Sequence, residues 1–354
     1  MKKENKTPAY LLLYEQLRQG IVSGQYAYGT KLMSKRTAAA RYGVSVITAE
    51  HAYDLLIREG YLLPKERSGY FINYREKDSF PVGQRSFLHG DAPQHKAPFP
   101  FSVYARAVRR ILMNFGENVL EPSPRTGHPV LKETLSAYLA RARGIHASSD
   151  QIVIGSGSEY LYGMIPTLLG RDMIYGIETP SYEKIEEVYG AGGIRTEGLP
   201  LGPDGIRSDA LEHSRAGVLH ITPYRSFPTG ITATAAKKRE YLQFIRDRDG
   251  WIVEDDFESE FTPSMKPEET LFSLDKKRVI YLNSFSKTVS PALRVAYMVL
   301  PEGLLAPFRD KLGFAACTVP TLDQLVLAEL IANGDFERHL NRVRRAGRNT
   351  GIGR

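Results

Sequence analysis

The sequence predicts two domains, a winged helix-turn-helix at residues 1–75 and, from residue 99 onward, an α/β domain on an open, mostly parallel sheet. A chain of 354 residues is long for a single domain. Its first fifth has short helices with start and stop signals and then a hairpin pattern, whereas the remainder alternates helical stretches with short apolar strands. Between them, residues 76–98 gather proline, glycine and charge without periodicity, which is typical of a linker.

The excess of positive charge is concentrated near the amino terminus. The chain has 47 Lys or Arg against 40 Asp or Glu, which gives a formal net charge of +7. Residues 1–75 contain 12 of these cations and six of the anions, so nearly all of the excess lies there. A local excess of this kind favours a polyanionic partner such as nucleic acid.

Composition argues against several other classes of protein. The one cysteine, Cys317, rules out a disulfide within the chain, and the eight histidines show no metal-ligand spacing, so we expect no metal site. No run of about 18 apolar residues could span a membrane, and the charged start, Met1-Lys-Lys-Glu, does not resemble a signal peptide. We therefore expect a cytoplasmic protein that has no membrane partner.

Helix-start and helix-stop signals define the first domain. Apolar residues recur every four positions from Leu13 to Ile21 and indicate an amphipathic helix. Two further helices are predicted at 35–42 and 46–59, because a serine precedes each and a glycine follows each. Their connection through residues 43–45 makes a helix-turn-helix.

The longer helix of this pair is predicted to be a recognition helix in the major groove of DNA. One of its faces is apolar and would pack on the core, namely Ala49, Ala52, Tyr53 and Leu56. The other face would meet base edges with Ser45, Ile47, Thr48 and His51. A helix pair with a glycine turn can also be purely structural, and the basic excess is what favours DNA binding.

A β-hairpin, or wing, is predicted after the recognition helix. Short strands at 61–63 and 70–72 flank a cationic loop. Four cations are predicted to contact phosphates and so to position the domain, while the recognition helix specifies the sequence. They are Lys35 and Arg36 at the start of the shorter helix, and Lys65 and Arg67 on the wing.

The order of these elements over residues 8–73 resembles the GntR family of regulators. The resemblance rests on Gly29-Thr-Lys-Leu-Met-Ser-Lys-Arg before the shorter helix, Gly43-Val-Ser between the helices and Glu59-Gly-Tyr-Leu before the wing. Met33 is a departure, since the family usually has proline there. The resemblance implies that the partner is a double-stranded DNA operator.

Four segments with chemically suggestive residues follow predicted strands of the second domain, where open α/β sheets collect their ligands. The first is Gly155-Ser-Gly-Ser158, which opens a helix and offers free backbone N–H groups to a phosphate. The second is Glu254-Asp255-Asp256-Phe257, after the strand 251–253. An acid at this place could hold a ring nitrogen protonated, bind a metal ion or cap the next segment.

The third segment, Asn283-Ser-Phe-Ser-Lys287, follows the strand 279–282, and Arg294 comes seven residues later. A lysine at a strand end can form a Schiff base once it is deprotonated, and a nearby cation helps to lower its pKa. Arg294 can bind a phosphate through two parallel hydrogen bonds. The fourth segment, 223–230, is a rigid turn with two prolines. Taken singly, each segment also has an ordinary structural explanation, such as a glycine-serine turn or a solvated surface lysine.

As a set, these segments resemble the fold-type I aminotransferases from Phe99 to the end of the chain. The resemblance is carried by Ser-Phe-Ser-Lys287 with Arg294, by Phe-Pro-Thr-Gly230 and by Glu-Asp-Asp-Phe257-Glu-Ser-Glu-Phe261. Behind a GntR-like winged helix, they are similar to the MocR subfamily of regulators, whose better-known members sense pyridoxal phosphate or amino compounds. The resemblance implies an aminotransferase class I/II-like domain over 99–354, pyridoxal 5'-phosphate (PLP) as cofactor, and a homodimer.

The resemblance also implies a role for individual residues. Lys287 would form the Schiff base with PLP, the internal aldimine. Asp255 would pair with the pyridinium nitrogen and keep the ring an electron sink. Tyr182 would stack on the ring. Six residues would hold the phosphate, namely Ser156, Gly157, Ser158, Ser284, Ser286 and Arg294.

Two departures from the family pattern lead to further expectations. Phe257 stands where the family has a tyrosine that hydrogen-bonds the cofactor, so we expect binding weaker by about 1 kcal/mol unless Tyr224 or Arg225 supplies a substitute donor. The tail 344–354 has no apolar periodicity, and the small carboxyl-terminal domain, with its carboxylate-binding arginine, is missing or incomplete. We therefore expect a truncation or a stretch translated out of frame, crippled amino-acid recognition and a lost packing surface.

These observations predict a DNA-binding transcription regulator that senses PLP or an amino compound, and not an enzyme. Two alternatives stay open. A PLP-dependent aminotransferase is disfavoured by the missing carboxylate-binding segment, and a remnant could retain only DNA binding. Salt-dependent operator binding would support the regulator or the remnant, whereas turnover of an amino donor would support the enzyme.

Overall fold

The computed structural model describes residues 8–65, 68–74, 99–257, 259–261 and 269–349. The chain divides into two compact units, residues 1–94 and 95–354. The division falls inside the predicted linker, 76–98, which lies outside the described residues together with Arg67 of the wing.

Three described helices build the amino-terminal unit, namely α1 (Ala9–Val22), α2 (Lys35–Tyr42) and α3 (Val46–Arg58). Both predicted serine caps are confirmed. Ser34 Oγ accepts a hydrogen bond from the Thr37 N–H at 3.1 Å, and Ser45 Oγ accepts one from the Thr48 N–H at 3.1 Å. Gly43 ends α2 in the left-handed region, at a φ of 66°, which allows the sharp turn into α3.

The predicted wing is an antiparallel hairpin of β1 (Leu62–Lys65) and β2 (Gly69–Ile72). Leu62 lies opposite Ile72, and both close a small core on which α1, α2 and α3 pack. The apolar faces predicted for the helices are confirmed, because Leu13, Leu17, Ile21, Ala49, Ala52, Tyr53 and Leu56 are all buried in that core.

An eight-stranded sheet is described in the second unit. Its strands are β3 (Ile152–Gly155), β4 (Tyr175–Thr179), β5 (Thr196–Gly202), β6 (Gly205–Ile206), β7 (Val218–Ile221), β8 (Trp251–Asp255), β9 (Val279–Ser284) and β10 (Ala296–Val299). The order is β3-β10-β9-β8-β7-β4-β5-β6. Every neighbouring pair from β9 to β5 is parallel, which confirms the prediction of a mostly parallel sheet.

The direction of the strands decides where the ligand site can form. β10 is antiparallel to both of its neighbours, so β3 and β9 run in the same direction. The carboxyl ends of β3, β9, β8, β7 and β4 therefore meet at one edge of the sheet. The residue pair Gly155 and Ser284, which end β3 and β9, lies on either side of Ala296 at the start of β10.

Helices cover both faces of this sheet. One core contains residues of α4 (Phe101–Phe115), α5 (Pro129–Arg143), α8 (Ser208–His213), α9 (Ala235–Asp247), α10 (Leu271–Leu274), α12 (Thr321–Ala332) and α13 (Asp335–Asn349). The other contains residues of α6 (Ser158–Leu169), α7 (Glu183–Ala191) and α11 (Leu305–Leu312). Adjacent strand residues go to opposite cores: Ile152 and Ile154 to the first, Val153 to the second. Strands buried on both faces tend to be apolar throughout, as the residue runs 152–154 and 279–282 are here. None of the helices in the described ranges has the length and apolarity needed to cross a membrane.

Residues 344–349, the start of the tail without apolar periodicity, continue α13. The helix is anchored upstream, because Phe336 and Leu340 are buried in the first core. Arg344 Nε then donates a hydrogen bond to the backbone oxygen of Glu260 at 2.7 Å. The tertiary contacts of the first turns thus stabilise the helical end of α13, which has no apolar pattern of its own. Residues 350–354 lie outside the described part.

A buried carboxylate ties the end of β4 to the loop after β7. Glu178 accepts hydrogen bonds from Ser226 Oγ at 2.6 Å and from the Thr222 N–H at 3.1 Å. Burial raises the pKa of Glu178 from 4.5 to about 7, although the two donors act in the opposite direction. The next residue of the loop after Ser226 is Phe227, so this tether fixes a segment that reaches the ligand cavity described below.

The raised pKa of Glu178 makes stability depend on pH. The folded state holds a proton that the unfolded state releases above pH 4.5, so the free energy of unfolding should fall as pH rises from about 4.5 to about 7. Glu178→Gln should reduce this slope by up to roughly 1.4 kcal/mol per pH unit, which is one proton equivalent. The slope should not vanish, since burial also raises the pKa of Glu254 and of Glu260 to about 7. Urea unfolding at several pH values measures this.

The matched control is Glu133→Gln on the exposed face of α5, which should leave the slope as it is in the wild type. An unchanged slope in Glu178→Gln would show that the carboxyl of Glu178 is ionised in the folded protein.

Candidate functional site

A cavity of about 240 Å³ lies at the sheet edge where the strand ends meet. Six of the predicted cofactor residues line it, namely Ser158, Tyr182, Ser284, Ser286, Lys287 and Arg294. Four lining residues had no predicted role as ligands, namely Glu159, Tyr162, Phe227 and Phe257. Three predicted residues are not part of the lining, namely Ser156, Gly157 and Asp255. Gly157 precedes the lining residue Ser158, and Asp255 accepts a hydrogen bond from the lining residue Tyr162. The roles assigned to all of these residues stay predictions.

Aromatic rings surround the amine of Lys287. Its Nζ lies 4.2 Å from the centroid of the Phe257 ring and 6.0 Å from that of Phe227. The Tyr182 ring stands edge-on to Phe227, with the two centroids 6.4 Å apart, and Tyr182 is 38% exposed. The amine of Lys287 therefore lies beside two aromatic rings in the lining of the cavity, although the residue itself is exposed.

Asp255 ends β8 and is almost completely buried, at 1% exposure. Its Oδ2 accepts a hydrogen bond from the Tyr162 hydroxyl, and His220 Nε2 lies 3.7 Å from the same oxygen. Its Oδ1 has no hydrogen-bond partner among the described residues. A buried carboxylate oxygen without a donor is costly, so the site favours a ligand that brings one. A protonated ring nitrogen is such a donor, and this geometry fits a pyridinium.

The segment predicted to hold a phosphate lies at the amino end of α6. Gly157 precedes the helix at a φ of 96°, and a side chain at this position would collide with the guanidinium of Arg294. The positive φ therefore favours glycine at this position, and a larger residue would also displace the guanidinium of Arg294. The Ser156 N–H donates to Thr318 Oγ1 at 3.2 Å, so this donor is already engaged within the protein.

The arginine expected to bind the phosphate forms an ion pair with the protein's own Glu159. Arg294 Nη2 lies 2.6 Å from Glu159 Oε2, and the Tyr182 hydroxyl lies 3.5 Å from Glu159 Oε1. Burial of Glu159 opposes ionisation, but its backbone N–H and Arg294 outweigh this and lower its pKa. Glu159 is therefore an anion in an anion site. The sequence indicates this residue only through its position, directly after the segment predicted to hold a phosphate.

Three adjacent acids at the end of β8 have three different partners. Glu254 accepts hydrogen bonds from the N–H groups of Leu271 and Phe272, both at 2.9 Å, and so caps α10. Asp256 forms a buried ion pair with Arg143 at 2.6 Å. Asp255 alone of the three has an unsatisfied oxygen. The capping alternative therefore applies to Glu254. No cluster of three metal-ligating side chains occurs in the described part of the chain.

The role of Tyr224 or Arg225 as a substitute donor for the missing tyrosine hydroxyl stays a prediction. Neither is among the described residues that line the cavity. Tyr224 is 9% exposed, and the Arg225 N–H donates to Thr232 Oγ1 at 3.1 Å within its own turn. The ring of Phe257 itself lies against the amine of Lys287.

Some of the residues predicted to contact DNA already contact other side chains of the protein, and others are exposed. The hydroxyls of Ser45 and Thr48 lie 2.8 Å apart in the cap of α3. Lys35 Nζ lies 2.8 Å from Glu50 Oε1 and 3.6 Å from Asp54 Oδ1. The exposed side chains include Arg36, Lys65 and Ile47, of which Ile47 is 66% exposed. We therefore regard Arg36 and Lys65 as the stronger candidates for phosphate contacts.

Comparison with known proteins agrees with this architecture. Residues 9–72 match the family model "Bacterial regulatory proteins, gntR family", and residues 90–347 match "Aminotransferase class I and II". The chain is 30% identical to the uncharacterized HTH-type transcriptional regulator YdeL of Bacillus subtilis, over 96% of this chain and 76% of that protein. It is 28% identical to the probable rhizopine catabolism regulatory protein MocR of Rhizobium meliloti, over 98% of this chain and 76% of that protein.

Solved structures of aminotransferases are similar to the second unit. LysN, the alpha-aminoadipate aminotransferase of Thermus thermophilus, was solved in complex with N-(5'-phosphopyridoxyl)-L-leucine. It is 32% identical to this chain with a TM-score of 0.63, over 71% of this chain. The match covers 65% of LysN, so the chain spans less than two thirds of the length of this enzyme.

The fold and the site thus define a GntR-type helix-turn-helix joined to a fold-type I aminotransferase domain. The chain belongs to the HTH-type transcriptional regulators of this composition, the MocR subfamily of the GntR family.

The cap geometry predicts that Ser45 is a structural residue of α3. Ser45→Ala should lower the free energy of unfolding by about 1 kcal/mol, because the Thr48 N–H loses its acceptor. Ser45→Asp retains an acceptor and should keep the stability, while its charge should weaken binding to DNA. Urea unfolding and DNA titration of both variants measure these effects. A Ser45→Ala protein of wild-type stability but reduced DNA affinity would instead identify Ser45 as a base contact.

Proposed function

We propose that this protein is a DNA-binding transcription regulator that holds PLP at Lys287 and responds to the cofactor or to an amino compound that reaches it. One observation carries the proposal. Lys287 and Arg294 share a cavity beside Asp255, a buried carboxylate whose Oδ1 lacks a donor, in a chain that begins with a helix-turn-helix.

The residues of the cavity divide the tasks of holding the cofactor. When bound, PLP supplies an aldehyde that reacts reversibly with amines and a ring that withdraws electrons. Asp255 would accept a hydrogen bond from the protonated ring nitrogen, and Tyr162 keeps that carboxylate in place through its hydroxyl. Tyr182 and Phe227 would cover the ring and exclude water. Four residues would hold the phosphate, namely Ser158, Ser284, Ser286 and Arg294.

The amino-terminal unit would bind DNA through charge and shape. The exposed Arg36 and Lys65 would contact phosphates, and the exposed side chain of Ile47 would face the major groove. Neither α3 nor the turn before it contains a lysine or arginine ahead of Arg58, so apolar contacts and the polar side chains of α3 would distinguish the bases. We expect a homodimer that binds two half-sites from within the cytoplasm.

A second candidate, an aminotransferase, is favoured by the similarity to LysN and by the complete pair of Lys287 and Asp255. The regulator is preferred because the curated relatives that match along nearly the whole chain are transcriptional regulators. Turnover of an amino donor by the purified protein distinguishes the two.

Lys287 should be the covalent attachment point of PLP. Titration of the purified protein with PLP should produce a visible absorbance band, and borohydride followed by peptide mapping should place the label on Lys287. Lys287→Ala should abolish both signals. The matched control Lys277→Ala removes an exposed lysine outside the cavity and should keep them. Labelling at another lysine would contradict the assignment, and a folded protein with no band would leave only DNA binding.

Arg36 and Lys35 are neighbours in the chain, and we expect them to affect DNA binding differently. Arg36→Ala should reduce the slope of log K against log salt concentration by about 1, because one phosphate contact is lost. Lys35→Ala should change the slope little, since Glu50 and Asp54 already neutralise its charge. Titration of the protein with a double-stranded DNA fragment at several salt concentrations measures both slopes. Equal reductions would show that Lys35 releases its partners and binds phosphate.

A further inference from the structure

The ion pair between Glu159 and Arg294 occupies the position at which a phosphate would be bound. Glu159 is the second residue of α6, so its carboxylate lies at the helix end that carries positive dipole charge. Its Oε2 lies 2.6 Å from Arg294 Nη2, and Gly157 lets the guanidinium approach the backbone of the same turn. The helix end and the arginine together make an anion site, and the protein supplies the anion itself.

This carboxylate remains ionised where a phosphate would have to bind. The opposing effect of burial on Glu159 is smaller than the combined effect of its backbone N–H and Arg294, so its pKa is lowered. A phosphate monoester carries between one and two negative charges at neutral pH. The carboxylate of Glu159 and a phosphate would repel each other at the same guanidinium. The side chains of Glu159 and Arg294 are 31% and 49% exposed, so water reduces this repulsion without removing it.

We infer that Glu159 is an internal competitor for the phosphate of the cofactor, which must give up Arg294 when a phosphorylated ligand binds. The inference rests on the proposed function, since it concerns the affinity of the same cavity for PLP. Displacement of Glu159 also removes the acceptor that faces the Tyr182 hydroxyl, so phosphate binding is coupled to the ring that would cover the cofactor.

A built-in competitor suits a sensor better than a permanent holoenzyme. It lowers the affinity for the phosphorylated cofactor without touching the amine of Lys287 or the carboxylate of Asp255. Occupancy of the cavity then follows the free concentration of the cofactor over the range in which that concentration changes. The device acts only on ligands with a phosphate, and this property provides the test.

The test compares two aldehydes, PLP and pyridoxal, which differ only in the phosphate. Glu159→Gln keeps the size of the side chain but removes its charge. It should lower the dissociation constant of PLP by about ten- to a hundredfold, the effect expected of one charge at this distance in a partly screened site. The dissociation constant of pyridoxal should stay within about twofold of the wild-type value. Visible absorbance titration measures both constants, and circular dichroism checks that each variant is folded.

Two further variants and a second probe make the outcome unambiguous. Glu159→Ala should behave as Glu159→Gln does toward PLP and serves if the glutamine variant does not fold. Glu133→Gln, on the exposed face of α5, should leave both constants unchanged. Inorganic phosphate should compete with PLP more effectively in Glu159→Gln than in the wild type.

Each result has a definite meaning. If Glu159→Gln binds PLP more tightly but pyridoxal as the wild type does, the result supports Glu159 as a competitor for the phosphate. Unchanged binding of PLP, weaker binding of PLP, or an equal gain for both aldehydes overturns the inference, while the cofactor site of the proposed function stands. If no folded variant binds either aldehyde, the proposed function and the inference both fail.

Discussion

The burial of Asp255 at the end of β8 is the constraint on which the ligand site of the second unit depends. A carboxylate with 1% exposure is tolerated only where donors surround it. Tyr162 on α6 donates to one oxygen, and His220 on β7 lies beside the same oxygen while its Nδ1 is 2.7 Å from the Tyr189 hydroxyl on α7. Two strands and two helices are thus tied to one charge. The second oxygen has no donor among the residues that the structure describes, and a ligand that supplied one would complete the network.

The pleat and direction of the strands explain why neighbouring residues have unrelated tasks. Successive side chains of a strand point to opposite faces, so Glu254 is sent to α10 while Asp255 is sent toward α6. Parallel strands then bring the ends of β8 and β9 to one edge, which places Lys287 and Asp255 around the same cavity although 31 residues separate them in the chain. Because β10 is antiparallel to β9, it starts at that edge, and Arg294, two residues before β10, therefore lies there as well.

Much of this arrangement could be predicted from the sequence, and the failures share a physical cause. Serine caps, glycine stops and strand-end positions are local signals, and they located α3, Lys287 and Arg294. Glu159 and Tyr162 were missed because the packing of α6 decides which of its faces meets the cavity. The helical residues 344–349 were missed because Phe336 and Leu340 stabilise them from a distance. The ion pair between Lys35 and Glu50 joins residues fifteen positions apart, and no local sequence pattern predicts such a pair.

The two proposed binding sites use the same electrostatic arrangement at different places in the chain. Lys35 was predicted from the sequence to contact DNA, yet Glu50 and Asp54 hold its charge, and Arg294 is proposed to contact a phosphate, yet Glu159 holds its charge. In both cases an anionic ligand must compete with an internal carboxylate for the cation, so part of the attraction is already satisfied before binding. A regulator has to release DNA and effector as readily as it binds them, and internal competition lowers affinity without removing the geometry that selects the ligand. An enzyme that keeps its cofactor permanently would gain nothing from a carboxylate at the phosphate site, and for this reason Glu159 favours the sensor over the aminotransferase.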